Sequence, residues 1–155
     1  MRRNDREITD SSAIEAFIAG EQIIRVAFYD GGDIYIVPVN YGYIAENGEY
    51  RFFFHGARAG RKYELAKSSP TVGFEIDGRY KVLESGTACG FSAQFQSAIG
   101  TGRLRLIEDA DEKAAALDCV MKQVTGRSGW TYSGSELEAV AVFELTADKM
   151  SCKAK

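Results

Sequence analysis

Hydrophobic and polar positions alternate along much of this chain. QIIRVAFYD (22–30), DIYIVPVNYGYI (33–44) and EYRFFFH (49–55) are β-branched and aromatic runs. They are divided by Asp30-Gly31-Gly32 and Asn47-Gly48, residues that tolerate the positive φ of tight hairpins. This pattern predicts an antiparallel meander. Pro38 lies inside the second run, where its missing N–H predicts a bulge, a bend or an unpaired edge with backbone groups free for a ligand. TVGFEID (71–77) reads as a further strand with an Asp77-Gly78 turn. QFQSAIGTGRLRLIED (94–109) reads as a long curved one, Gly100 and Gly102 marking a bend or a close backbone approach. EAVAVFELTADKMS (138–151) supplies the last strand.

Three stretches have helical spacing instead. In DSSAIEAFIAGE, Ser12 and Glu15 have capping-box spacing, Ile14, Phe17 and Ile18 share a face, and Gly20 stops the helix. ARAGRKYELAKSS predicts a turn and a short helix ending before Pro70. DADEKAAALDCVMKQVTG has acidic residues in its first turn, Leu117, Val120, Met121 and Val124 on one face, and Gly126 past its end. Hairpin-linked strands with two or three helices outside them predict a mainly β (β+α) protein, a closed barrel with peripheral helices. The 155 residues read as a single domain, 1–155, without repeats or a linker.

Charge and composition narrow the function. A net charge of −3 argues against a nucleic-acid partner, which needs a basic surface. Cys89, Cys119 and Cys152 are odd in number and widely spaced, which argues for reduced thiols rather than a disulfide framework or a zinc cage. MRRNDREITD lacks the apolar core of a signal peptide and no stretch is long enough to span a bilayer, so a cytoplasmic protein with no membrane partner is expected.

The chemistry concentrates in FFFHGARAGRK (52–62), where the single histidine, His55, leads through Gly56 into Arg58, Arg61 and Lys62. GARAGRKY has one residue too few between its glycines for a phosphate loop and lacks the Lys-Ser/Thr pair. GTGRLR lacks the third glycine of a dinucleotide fingerprint. The physics is independent of the motif names: a glycine turn entering a helix exposes unpaired N–H groups, and three cations stand beside them. The alternatives are a site for a dianionic phosphate and a solvated basic turn. His55 is either a neutral core imidazole or a proton donor. Tyr35, Tyr41, Tyr43 and Phe52 to Phe54 are either barrel core or the wall of a flat ligand site.

YIVPVNYGY (35–43), FHGARAGRK (54–62), VGFEID (72–77) and FQSAIGTGR (95–103), in this order and spacing, resemble the pyridoxamine 5′-phosphate oxidase-like flavoproteins, the nearest branch being the nitroimidazole-resistance (Nim-type) group. The resemblance covers roughly residues 1 to 150. It implies an FMN-binding split β-barrel that forms a homodimer, with FMN in a cleft between protomers. By similarity, the FMN phosphate lies against the loop from His55 through Gly56 and Arg58 to Arg61 and Lys62, the last two being its charge partners. The flavin ring lies along Val37, Pro38, Val39 and Asn40. Gln96 and Ser97 match positions that reach the cofactor from the partner subunit, and Trp130 is a ring neighbour. The implied activity is electron transfer from NADH or NADPH through FMN to a small planar acceptor such as a nitroaromatic, with His55 as the catalytic proton donor and no metal. The alternatives are a non-catalytic flavin-binding or sensing protein, and a relative that holds haem or a deazaflavin. The namesake oxidase holds its substrate with a C-terminal Arg-x-His element. TADKMSCKAK contains no histidine, so vitamin B6 oxidation is not expected.

Overall fold

A computed structural model describes residues 4–68 and 70–155. Its eight strands are β1 (Glu7–Ile8), β2 (Ile23–Asp30), β3 (Asp33–Asn40), β4 (Gly42–Glu46), β5 (Glu49–Ala57), β6 (Thr71–Leu83), β7 (Ser92–Ile107) and β8 (Val140–Ala154). The helices are α1 (Ser11–Gly20), α2 (Arg61–Ala66), α3 (Ala110–Thr125) and α4 (Gly134–Ala139). The strands form one antiparallel sheet in the order β3-β2-β6-β7-β8-β5-β4, with β1 added on β8.

This order corrects the expected meander. The run 33–44 divides at Tyr41 into β3 and β4, which lie at opposite ends of the sheet order. Two contacts impose the break. The Tyr41 ring is fully buried and its hydroxyl donates to the Ile18 carbonyl at 2.6 Å, drawing the chain inward. Gly42 then passes so close to α3 that an added Cβ would overlap the backbone of Cys119 and Val120. Pro38 falls on β3, whose one strand neighbour is β2, in a register unbroken from Ile23↔Asn40 to Asp30↔Asp33. Of the three outcomes expected for Pro38, the unpaired edge is the one formed, because there the missing N–H can face away from the ladder.

The Asn47-Gly48 hairpin forms with both residues at positive φ. Asp77-Gly78 is no turn: β6 runs through it to Leu83, with a register shift between Gly78 and Lys81 and Arg79 at φ 54°. Gly100 and Gly102 behave as expected, each facing backbone or ring atoms that leave no room for a Cβ, and β7 shifts register against β8 between Thr101 and Gly102. The N-cap of α1 is Asp10, not Ser12; its carboxylate accepts from Ala13 N at 3.1 Å and from the Ser12 hydroxyl at 2.7 Å. α4, which the apolar pattern does not predict, opens on a complete capping box of Ser133 and Glu136.

Strand alternation sorts the side chains into two layers. Phe52 and Phe54 point into the barrel with Phe28, Tyr41, Phe74 and Phe143. Phe53 points outward and packs with Leu117 and Val120 of α3 and Leu137 of α4. On α3 itself, Leu117 and Val120 are buried as expected, whereas Met121 is half-buried and Val124 is exposed; Lys113 and Ala116 complete the buried face.

Candidate functional site

The strand-to-helix junction forms as the glycine pattern predicts. β5 ends at Ala57, and Gly60 occupies the N-cap of α2 with φ 92°, a value that suits glycine. Lys62 then turns back over the end of the barrel. Its Nζ lies 5.6 Å from the Phe54 ring centre and 5.1 Å from that of Phe143, and donates to the His55 carbonyl at 3.4 Å. An added Cβ on Gly56 would stand 2.6 Å from this Nζ, so the glycine makes room for the ammonium. Burial lowers the Lys62 pKa, as expected for a cation with one long, neutral acceptor.

The two arginines differ from it. Arg61 donates through Nε to Asp30 Oδ2 at 2.7 Å and stacks over Tyr35 of β3, 4.9 Å from the ring centre. It therefore joins the basic loop to the open edge strand. Among the described residues its Nη groups make no hydrogen bond. Arg58 turns the other way and donates to the Glu138 carbonyl of α4 at 3.2 Å. Of the three cations expected around a phosphate, Arg61 is held at Asp30 and Tyr35, Lys62 lies over Phe54 and Phe143, and Arg58 is directed to α4.

Val37 and Val39 pack inward against the barrel core, while Pro38 and Asn40 are exposed. Asn40 donates to the Gln22 carbonyl at 3.1 Å. The free side of β3 offers backbone donors and acceptors beside Tyr35 and Arg61. Gln96 and Ser97 are buried on β7, opposite Gly78 and Asp77, and no described hydrogen bond or ion pair joins them to the basic loop of the same chain. The Ser97 hydroxyl is buried without a hydrogen-bond partner among the described residues. Trp130 lies on the loop after α3, its indole N–H donating to the Arg127 carbonyl at 3.1 Å and its ring beneath the Arg127 guanidinium.

His55 is on the outer face of β5, one residue from Phe54 and therefore on the opposite side of the strand. It opens to solvent and shares a cavity of about 200 Å³ with Leu117, Val120, Tyr132 and Val140. Its pKa is lowered, first by the partial desolvation this packing imposes and second by the Lys62 charge. The sign follows: below about pH 6.5 the unfolded chain takes up a proton that the folded chain resists. This contribution to stability is lost as pH falls from 6.5 through the folded value and is constant above neutrality. Because the chain has one histidine, its ring resonance in an NMR titration reports directly. The midpoint is expected below 6.5 in the wild type and higher in Lys62→Gln; an unchanged midpoint in the variant would show that the Lys62 charge does not reach the ring.

This split β-barrel, with a basic strand-to-helix junction against its open edge, defines the class of the protein. The profile of the family described as pyridoxamine 5′-phosphate oxidase matches residues 10–154, and the chain belongs to that family. A comparison with curated proteins finds no match. Among solved structures, it is similar to a candidate 5-nitroimidazole antibiotic resistance protein from Bacteroides thetaiotaomicron, with 28% identity, TM-score 0.81, 96% of this chain and 86% of that one covered. The flavocytochrome Anf3 from Azotobacter vinelandii shares the fold at 22% identity and TM-score 0.80, over 100% of this chain and 72% of that one. So does the FAD and heme binding protein from Mycobacterium smegmatis, at 16% identity and TM-score 0.83, over 97% and 73%.

Proposed function

We propose that this protein is a flavin-dependent oxidoreductase that binds FMN between two copies of the chain and passes electrons from NADH or NADPH to a small planar acceptor. The observation that carries the reading is the Lys62 ammonium, half-buried in the space that Gly56 leaves and without an anionic partner among the described residues, next in the chain to Arg61, which stacks on Tyr35 of the edge strand β3. The residues fit the cofactor. Lys62 and the Nη groups of Arg61 would hold its phosphate, and the β3 backbone from Val37 to Asn40 would take the polar edge of its ring. When bound, flavin supplies the hydride and electron chemistry. The chain's own part is to bind the phosphate, orient the ring and keep His55 neutral near pH 7, where its ring N–H would donate a hydrogen bond to the acceptor while the transferred proton comes from solvent.

A second copy has a suitable surface. Tyr29, Ile34, Ile36 and Ile99 are 70%, 64%, 57% and 48% exposed on the outer face of the sheet. The register sets Tyr29 opposite Ile34, Ala27 opposite Ile36 and Gly73, and Ile99 opposite Glu75, so the apolar groups lie together around Arg25 and its carboxylate partners Glu75 and Asp77. A cluster of this kind marks an interaction surface more than singly scattered apolar groups do. Ile36→Glu is expected to give a monomer in sedimentation analysis and to bind flavin at least tenfold more weakly; a dimer with undiminished affinity would place the interface elsewhere.

The function itself is tested by visible spectroscopy with FMN or FAD and then NADH or NADPH under anaerobic conditions. The expected result is one FMN per chain, bleached by a nicotinamide and reoxidised by a nitroaromatic. A Soret band in the purified protein would instead indicate haem, and bound flavin that no nicotinamide reduces would leave a binding or sensing role.

A further inference from the structure

The β6–β7 hairpin outruns the sheet it belongs to. β8 pairs with β7 as far as Ala154 opposite Gln96, and Lys155 exchanges backbone hydrogen bonds with Phe95. Beyond that point β6 and β7 pair with each other alone, from Lys81↔Gln94 to Leu83↔Ser92. At about 3.3 Å per residue, the run from Gly78 to Leu83 carries this arm roughly 15 Å from the barrel. Its base is fixed: the register shifts between Gly78 and Lys81, and Arg79 donates to the Ala16 carbonyl of α1 at 3.0 Å with its guanidinium over the Phe17 ring. Residues 79–91 are all exposed, yet a two-stranded ribbon is marginal in water without a surface to pack on.

Most of the large apolar side chains exposed among the described residues belong to this arm or to the sheet face behind it: Tyr80, Val82, Leu83 and Phe91 on the arm, Tyr29, Ile34, Ile36 and Ile99 on the outer face. Alternation along β7 joins the two parts. Ala93, Phe95, Ser97 and Ile99 share a face, and Val82 stands opposite Ala93. One row across that face consists of Pro38, Arg25, Glu75 and Ile99, each the register partner of the next. Arg25 is shared between Glu75, at 3.0 Å, and Asp77, so the row keeps an excess carboxylate charge. A twofold axis parallel to the strands, between β2 and β6, sets Arg25 of each copy on Glu75 of the other and Ile99 on Pro38, the self-complementary arrangement that an isologous pair requires. An axis across the strands at this row would set Glu75 against Glu75.

We propose that the β6–β7 arm of a second copy of this chain closes over the Asn40 end of β3, the two copies being joined by the Arg25 and Glu75 row. With the axis along the strands, both arms leave the interface at one end, and it is the end that carries Asn40, because Asn40 and Ser97 lie on the same side of the row. Ile99 of the second copy rests on Pro38, and its Val82 and Tyr80 follow along the same face past Asn40. Packed sheets stand about 10 Å apart, which an arm of roughly 15 Å spans. The proposal rests on the flavin reading in one respect: the arm is then the outer wall of the ring site along Val37 to Asn40.

Charge exchange and arm removal test this on the full chain. Arg25→Glu and Glu75→Arg are each expected to sediment as monomers, because like charges then meet across the axis, and an equimolar mixture of the two to form a mixed dimer in which both contacts again join opposite charges. The double exchange, Arg25→Glu with Glu75→Arg, keeps the pair within the chain and is expected to restore the dimer, which separates the interface from folding. A fluorophore on Cys89, the exposed thiol of the arm, is expected to shift to the blue when the mixed dimer forms, with or without flavin. Replacing residues 82–93 by Asn-Gly, a two-residue turn between the paired Lys81 and Gln94, is expected to leave a dimer that releases FMN about tenfold faster. A monomeric wild type or a monomeric double exchange overturns the proposal. So does a mixed dimer whose Cys89 label does not shift, or an armless dimer that binds FMN and releases it at the wild-type rate. Mixed dimers with a shifted label in a protein that binds no flavin support the arm contact and remove the cofactor reading alone.

Discussion

Lys62→Ala is expected to weaken FMN binding by about ten- to a hundredfold while the barrel stays folded. A charge-assisted hydrogen bond contributes about 1.5–3 kcal/mol, and the Lys62 ammonium has its one described hydrogen bond to the His55 carbonyl at 3.4 Å. Its removal takes no residue out of the core, because Phe54 and Phe143 remain stacked at 5.0 Å. Lys62→Met, which keeps the aliphatic stem over those rings, separates the charge from the packing and is expected to lose as much affinity as alanine. Arg61→Ala is expected to lose less, since its Nε–H is already held by Asp30. Flavin fluorescence titrations at two salt concentrations provide the measurement. Undiminished affinity in both Lys62 variants would move the phosphate away from this loop.

The second large effect is on stability. Gly42→Ala is expected to cost about 3 kcal/mol, near the upper end for overpacking a close contact. For a chain of this size that corresponds to a fall of about 6–12 °C in thermal midpoint. The new methyl would meet the backbone of Cys119 and Val120, and a helix backbone cannot rotate aside as a side-chain tip can. Relief requires α3 to move off β4, and α3 carries Leu117 and Val120 of the His55 cavity. Gly126→Ala is the control: its φ of 73° is strained for alanine but nothing crowds it, and about 1 kcal/mol is expected. Calorimetry showing equal midpoints for the two variants would contradict the close approach of β4 to α3.

The local calculus of the chain was readable residue by residue. The Asn47-Gly48 hairpin, the Gly126 stop of α3 and the crowding at Gly100 and Gly102 follow from conformational rules that act within a few residues. The Gly60-to-Lys62 junction is local in the same sense. The α4 capping box at Ser133 and Glu136 is local too, but so short a helix before a long strand has no apolar periodicity to announce it. Asp10 displaced Ser12 as the cap by the same short-range chemistry, a carboxylate two residues earlier accepting from the free Ala13 N–H.

What the sequence determined by itself is most of the strands, the three longer-patterned helices, the barrel class and the short loop in which glycine leads into Arg61 and Lys62, since the hairpin, cap and glycine signals act over a few positions. Tertiary structure alone decided that the aromatic run breaks at Tyr41, that Arg61 is shared with Asp30 while Arg58 leaves for α4, and that His55 meets α3 on the outer face of β5. Those outcomes depend on distant partners, and the chain pattern states which groups want a partner without stating which one packing will bring within reach.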